Sequence, residues 1–243
     1  MKKLGFGLLG AWFLVGCGSD PLPSDAGAAG AAGSGNPGQF TSMCSAARAT
    51  ALGANDIVST GHVTVLSSSA GVTTLYVDAS AGGVTAAASN PWTFISLADG
   101  SKIEVTDLSS VESTAWDLAL KRAQIYSNSG DGGPGEGSAA LIDKDFDQVT
   151  SADAADASFS SESFFDSECT PNVQASTGAL YTSFIDWYAY DEATHVLTPA
   201  SGTYLVHGGT GKLYKLAFEN YYATETGGTG MTGGAYLLKF KAL

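Results

Sequence analysis

The feature that most constrains this chain is a glycine-dense loop that directly follows an alternating apolar stretch. Glycine occupies positions 130, 132, 133, 135 and 137, interrupted by Pro134. So many glycines indicate either several positive φ angles or a close approach of two backbone segments. In the preceding stretch, Trp116, Leu118, Leu120 and Tyr126 share one parity. This period-two alternation predicts one half-buried β-strand that runs into the loop.

The N-terminal residues predict export as a lipoprotein. Lys2 and Lys3 precede a short apolar run that ends in Leu-Val-Gly-Cys at 14–17, a match to the bacterial lipobox. We therefore expect residues 1–16 to be a signal peptide and Cys17 to carry fatty-acyl chains such as palmitate. The alternative, a transmembrane anchor, is disfavoured because the run is shorter than the roughly 18–20 apolar residues that a spanning helix needs.

The segment after the lipidation site predicts a tether. Residues 17–39 are mostly Gly, Ala, Ser and Pro, so they cannot bury enough apolar surface to offset the entropy of ordering. A flexible tether of this length holds the following domain roughly 25 Å from the bilayer. Gly18 stands where inner-membrane lipoproteins usually have aspartate, so we expect an outer-membrane address in the bacterial cell envelope.

Residues 40–243 predict one all-β domain of mostly antiparallel strands with at most one or two short helices. A short helix is expected over Thr41–Ala54, starting at Thr41 or Ser42 and ending near Gly53. The rest reads as short strands separated by Gly- and Ser-rich turns. Besides the stretch that ends at Tyr126, the predicted strands are 62–66, 73–77, 92–97, 102–105, 180–190, 202–206, 212–222 and 235–243.

The charge balance and the motif content limit which classes of function the protein can have. The chain has 24 acidic and 11 basic residues, a net charge of −13, which argues against nucleic acid as a partner. An acidic surface also suits any soluble exported domain. The sequence contains none of the G-x-S-x-G, H-E-x-x-H and C-x-x-C motifs. We therefore expect a protein that is not an enzyme. A hydrolase whose active site carries none of these motifs is an alternative.

The two cysteines left after lipidation predict a disulfide. Cys44 and Cys169 would most simply pair in an exported protein, and closing so long a loop stabilises by roughly 4–5 kcal/mol in the chain-entropy model. The alternative is that the two thiols act separately as ligands.

Two blocks carry a resemblance to a known family. Trp-Asp-Leu-Ala at 116–119 is followed by Asn-Ser-Gly at 128–130, and Gly-Lys-Leu-Tyr-Lys-Leu at 211–216 is followed by Tyr-Tyr at 221–222. In this order the blocks resemble the HmuY family of haem-binding lipoproteins. The resemblance implies a single HmuY-like domain that captures haem, or another flat apolar ligand, without catalysis. It also implies haem or a haem protein as the partner.

Haem capture requires axial donors for the iron, most often His or Met. The candidates are His195, His207 and Met231, each of which also fits an exposed turn or loop position. His195 lies about where the resemblance implies one axial ligand. No His or Met occurs between Val63 and Thr194, where the resemblance implies the second. The alternative function is a haem-free surface interaction or adhesion module, which is favoured if none of the three candidates lines an apolar cleft.

Overall fold

The computed structural model describes residues 44–243. The predicted signal peptide, Cys17 and the tether therefore lie outside the described residues. Within them, the helix α1 (Ser45–Leu52) ends at Gly53, which has a left-handed φ of 54°. Glycine ends helices in this way because it has no Cβ to strain the left-handed conformation. The predicted helix end is confirmed, whereas the predicted start at Thr41 or Ser42 falls outside the described part.

Twelve strands follow α1 in the described chain, and every pairing between these strands is antiparallel. The all-β prediction is thus confirmed. The strands are β1 (Val63–Ser69), β2 (Val72–Asp78), β3 (Thr93–Ile95), β4 (Lys102–Ile103), β5 (Leu118–Lys121), β6 (Gln124–Ser127), β7 (Ser138–Ile142), β8 (Tyr188–Asp191), β9 (Val196–Pro199), β10 (Thr203–His207), β11 (Leu213–Asn220) and β12 (Ala235–Ala242).

The larger sheet has six strands in the order β1-β2-β12-β11-β10-β7. The last strand of the chain therefore lies in the interior of the sheet. On β12, Leu238 is opposite Leu75 of β2 on one side and Phe218 of β11 on the other. The sheet is complete only when the C-terminal strand has joined the first hairpin to the later strands.

The smaller sheet has four strands in the order β4-β3-β5-β6, and one of its faces packs on the larger sheet. Leu118 and Leu120 of β5 and Ile125 of β6 share one buried cluster with Leu75 and Leu238. All five side chains are at most 1% exposed. Burying each contributes roughly 1.5–3 kcal/mol, so this layer between the two sheets is the main core.

The stretch that ends at Tyr126 is two strands and not the single predicted strand. β5 and β6 form a hairpin in which Lys121 pairs with Gln124 and Ala119 pairs with Tyr126. Tyr126 consequently packs with Ala119 in a second cluster, on the opposite face from Leu118. The predicted shared face was wrong because the intervening turn reverses the chain and resets the alternation.

A second core covers the other face of the smaller sheet and holds α1 against it. Leu52 of the helix packs with Trp92 and Tyr126, and the Trp92 indole N–H donates to the Leu52 carbonyl at 2.9 Å. The disulfide predicted between Cys44 and Cys169 is formed, and it links positions 125 residues apart. The disulfide thereby joins the helix to the segment that covers this core.

The predicted strand over 180–190 is only partly a strand. Its last residues form β8, which pairs with β9 in a separate two-stranded ribbon, while Phe184 and Trp187 enter the main core from turns. Phe184 and Trp187 are three positions apart and enter the same core, so their burial does not follow the period of two that a strand would give. None of the predicted strands covers β7 or β9.

Candidate functional site

The glycine loop is built around the buried side chain of Asn128. Its amide Nδ2 donates to the Ser113 and Trp116 carbonyls at 3.0 and 2.8 Å, and its Oδ1 accepts from the Gly135 N–H at 2.9 Å. One carboxamide thus satisfies three backbone groups that belong to no strand, of which the Trp116 carbonyl is buried and the other two are partly buried. The Asn128 side chain fixes the path of the loop.

Most glycines in this loop let other parts of the chain approach its backbone closely. Between positions 130 and 137 only Gly130 has a positive φ, of 48°. A Cβ on Gly133 would lie 2.3 Å from Asn128 Oδ1, and one on Gly135 would lie 2.6 Å from the Gly209 carbonyl oxygen. Of the two alternatives that the sequence left open, close approach therefore accounts for most of these glycines.

Asp117 joins the two family-like blocks. Its buried carboxylate accepts from the N–H of Leu97 at 2.5 Å and from the N–H of Gly209 at 2.7 Å. Burial raises the pKa of Asp117, although both hydrogen bonds oppose the shift. The Trp-Asp-Leu-Ala block and the glycine turn before β11 therefore meet in a buried polar contact that holds the two segments together.

A ligand-sized opening lies beside the β5–β6 turn. One cavity of about 570 Å³ is bordered by the end of α1, by the turn and by the segment 174–188. A second cavity of about 530 Å³ adjoins it, because Arg122, Ala123, Thr177 and Tyr188 line both. We call the two cavities together the cleft. Each has a volume typical of small-molecule sites.

The walls of the cleft are largely apolar and aromatic. Phe184 and Trp187 line the first cavity, while Tyr190, Leu197 and Tyr221 line the second. Burial raises the pKa of Tyr221 to about 12. This tyrosine therefore stays neutral at physiological pH and presents an aromatic surface with a polar hydroxyl.

The cleft differs in charge from the rest of the protein. Among the described residues, its walls include Lys121 and Arg122 but no Asp or Glu. Lys121 is buried, its Nζ lies 3.5 Å from the Leu52 carbonyl oxygen, and burial lowers its pKa against the opposing effect of Asp107. In a chain with 24 acidic residues, the described charged side chains on the cleft walls are therefore all basic, and they can interact favourably with an anionic group on a ligand.

Of the three candidate axial donors, His195 is the one that contacts a described residue of the cleft wall. It is exposed in the turn between β8 and β9, with a φ of 58°. Its Nδ1 lies 2.6 Å from the hydroxyl of Tyr190, a residue that lines the second cavity. An imidazole and a phenol, both able to bind iron, thus form a hydrogen-bonded pair at the edge of the cleft.

The other two candidate donors lie away from the cleft walls. His207 ends β10, where its Nδ1 is 3.0 Å from Ser138 Oγ and its ring packs 4.5 Å from that of Phe159. Met231 is 97% exposed in the loop before β12. The remaining histidine, His62, also lies away from the cleft walls, with its Nε2 3.4 Å from Glu225 Oε1.

These residues fit haem in size, polarity and available donors. The cleft offers aromatic walls, two cationic side chains and the Tyr190–His195 pair at its edge. A flat, mostly apolar ligand with a metal centre uses apolar walls for its faces and a donor atom for its metal. Within the part of the chain that the structure describes, no cluster of three or more His, Cys, Asp or Glu side chains could hold a bare metal ion.

Sequence reasoning missed Arg122, Thr177 and Leu197 as cleft residues. Arg122 looked like one position in a continuous strand, and Thr177 lies in a segment with no periodic signal. The one available signal was the break in alternation at Arg122-Ala123, where a basic and a small residue interrupt an apolar pattern.

A sequence model of the HmuY protein family matches residues 88–236, more than half of the chain. The chain belongs to the HmuY family. The match includes both blocks that carried the resemblance and most of the cleft walls, and it starts within the region between α1 and β3. The HmuY assignment made from the residues is therefore confirmed.

Several solved structures resemble this HmuY-family chain at low sequence identity. The apo HmuY analogue of Tannerella forsythia is 13% identical, with a TM-score of 0.45, and the alignment covers 70% of this chain and 95% of that one. A Bacteroides vulgatus protein described as HmuY-like and heme-binding is 15% identical, with a TM-score of 0.42 and coverages of 70% and 91%. Apo PinO of Porphyromonas gingivitis is 11% identical, with a TM-score of 0.42 and coverages of 75% and 96%.

Two further comparisons complete the description. No curated protein sequence matches the chain. Across residues 44–243, no helix has the length and apolar character needed to cross a membrane.

Proposed function

We propose that this protein captures haem, or another flat apolar ligand, in the cleft and hands it on without covalent turnover. The observation that carries the proposal is a pair of adjoining cavities of ligand size, with aromatic walls and no described carboxylate, in a HmuY-family chain. Affinity would come from removing the apolar faces of the ligand from water, together with one axial donor.

The residues at the second cavity have separable roles in this proposal. Tyr188, Leu197 and Tyr221 would contact the faces of the ligand, since their side chains line the cavity. The Tyr190–His195 pair would supply the donor atom, because it is the described donor group at the cleft edge. Bound haem would contribute an iron that accepts one or two such donors. His207 and Met231 remain candidates only if the ligand also reaches outside the cleft.

We also propose that the domain is anchored to the bacterial envelope through acylated Cys17, after removal of residues 1–16, with residues 17–39 as the tether. The lipobox at 14–17 supports this placement, and the outer membrane is the expected address. Labelling of the protein with radioactive palmitate in a bacterial host, lost in Cys17→Ser, is the expected result. Equal labelling of both proteins would contradict the proposal.

A haem titration with a blocked cleft tests the capture proposal. Thr177 is exposed and lines both cavities, so Thr177→Trp should obstruct the cleft without disturbing the core. Ala155→Trp places the same side chain at an exposed site outside both cavities and is the control. Absorbance in the Soret region is followed for the full-length protein, with detergent micelles alone as the blank.

We expect saturable haem binding by the wild type and Ala155→Trp, and at least tenfold weaker binding by Thr177→Trp. Saturable binding that Thr177→Trp does not weaken would place the ligand outside the cleft. A response in the wild type no different from micelles alone would reject haem capture and favour the haem-free interaction module.

A further inference from the structure

The β5–β6 turn places an arginine, Arg122, at a position whose backbone geometry disfavours side chains. Arg122 is the first of the two turn residues between the paired Lys121 and Gln124, and its φ is 53°. Two-residue hairpin turns need a positive φ at this position and usually use glycine or asparagine there. An arginine at a position that usually holds glycine or asparagine points to a role for its side chain beyond the turn itself.

Two hydrogen bonds hold the backbone of Arg122 in place, so the position from which its side chain extends is fixed. The Arg122 N–H donates to the Ala79 carbonyl at 2.8 Å. The Arg122 carbonyl accepts from the hydroxyl of Tyr236 at 2.5 Å. Neither contact involves the guanidinium, and a glycine at position 122 would keep both.

The guanidinium is only partly used by the protein. Nη1 donates to the Gly233 carbonyl, which leaves further N–H groups of the five that arginine carries. None of the ion pairs found within residues 44–243 involves Arg122. The side chain is half-buried and lines both cavities of the cleft. It therefore presents a positive charge, with donors to spare, to whatever fills the cleft.

We propose that Arg122 is the anion-recognition site of the cleft and binds a carboxylate of the apolar ligand. This inference rests on the proposed capture function and adds the ligand class: a flat apolar molecule that carries at least one carboxylate. Arginine suits the task because its planar fork matches a carboxylate in two parallel hydrogen bonds. The absence of described acidic side chains from the walls removes internal competitors for the guanidinium.

Metal-free porphyrins test the proposal separately from iron ligation. Protoporphyrin IX carries two carboxylates, whereas its dimethyl ester has the same ring and no charge. Binding of each to the full-length protein in equal detergent is followed by quenching of tryptophan fluorescence, since Trp187 lines the first cavity. The variants are Arg122→Gly, which suits the positive φ, and Arg122→Gln, which can still donate to Gly233. Lys212→Gln removes one positive charge away from the cleft walls and is the control.

We expect the wild type and Lys212→Gln to bind the free acid about tenfold or more tightly than the ester, as for one charge-assisted hydrogen-bond pair. Both Arg122 variants should lose this preference while binding the ester as the wild type does. Equal affinity of the wild type for the two porphyrins, or a preference retained in both variants, would overturn the role of Arg122 and leave the capture function standing. Failure of the wild type to bind either porphyrin, while haem still binds in the titration above, would overturn the role of Arg122 alone. Failure to bind haem as well would overturn the capture function and this inference with it.

Discussion

The hydroxyl of Tyr190 lies 2.6 Å from Nδ1 of His195, across the turn that joins β8 to β9. The two residues are five positions apart, and Tyr190 is also part of the cleft wall. A phenol and an imidazole are both groups that can bind iron, and here they lie at the edge of an apolar cleft. The pair leads to a direct prediction.

His195→Ala is expected to change the Soret spectrum of the haem complex and to weaken binding about tenfold or more, because an axial donor or its hydrogen-bond partner is lost. Tyr190→Phe should change the spectrum as well. His207→Ala, which alters an imidazole outside the cleft walls, is the matched control and should bind as the wild type does. Spectra of His195→Ala and Tyr190→Phe identical to wild type would move the donor assignment to His207 or Met231.

Gly133→Ala should destabilise the domain, because its Cβ would lie 2.3 Å from Asn128 Oδ1 and 2.7 Å from the Trp116 ring. Relieving this overlap means moving the side chain that fixes the loop, at a cost of about 1–3 kcal/mol in unfolding free energy. Urea denaturation measures the change. In Gly228→Ala the new Cβ would meet only the Thr224 hydroxyl, at 3.1 Å, so this control should lose less. Equal losses would show that Gly133 is not packed as described.

Replacing both Cys44 and Cys169 by serine should lower the unfolding free energy by about 2–5 kcal/mol. The disulfide closes a loop of 125 residues, and its removal restores freedom to the unfolded chain. Thermal unfolding with and without a reducing agent measures the effect. The reductant should destabilise the wild type and leave the double variant unchanged. A wild type insensitive to complete reduction would show that the disulfide contributes nothing to stability.

Buried Glu162 should make stability depend on pH. Its carboxylate accepts hydrogen bonds from Ser127 and Ser183, but burial dominates and raises its pKa above 4.5. The folded state therefore keeps a proton that the unfolded state loses, so the unfolding free energy falls as the pH rises from about 4.5 through the folded pKa. The loss is about 1.4 kcal/mol for each unit between the two pKa values.

Urea unfolding of wild type and Glu162→Gln between pH 4 and pH 8 checks this sign. The variant should lose the part of the pH dependence that Glu162 contributes, while Asp107 and Asp117, whose pKa values burial also raises, keep theirs. Glu192→Gln, at an exposed site, should follow the wild-type curve. A Glu162→Gln curve parallel to that of the wild type would contradict the prediction.

Local patterns in the sequence were sufficient for the all-β class, several of the strands, the helix end and the family. The run at 73–77 became β2 and the run at 235–243 became β12, because alternation of apolar residues directly reflects burial on one sheet face. Gly53 ended the helix as predicted. The pairing of Cys44 with Cys169 followed from simple counting.

The same reasoning failed where long-range contacts overrode the local pattern. The predicted strand 180–190 places Phe184 and Trp187 on opposite faces, but both enter the main core from turns. The Trp187 indole N–H donates to the Ala123 carbonyl at 2.8 Å. The turn at Arg122 has none of the residues that usually mark a hairpin. It forms because the Arg122 N–H donates to the Ala79 carbonyl and the Arg122 carbonyl accepts from the Tyr236 hydroxyl. Both partners are distant in the chain.

By itself, the sequence determined the all-β class, the HmuY family, the disulfide and the small set of candidate donors. These properties depend on residue types and on their spacing over short stretches, which can be read from the sequence alone. Only the tertiary structure decided that the glycine loop is a packed scaffold element, that Tyr190 meets His195, and that Arg122 lines a cleft without described carboxylates. Such facts arise from contacts between distant segments, because burial, charge and hydrogen bonding at a site depend on what the rest of the chain brings to it.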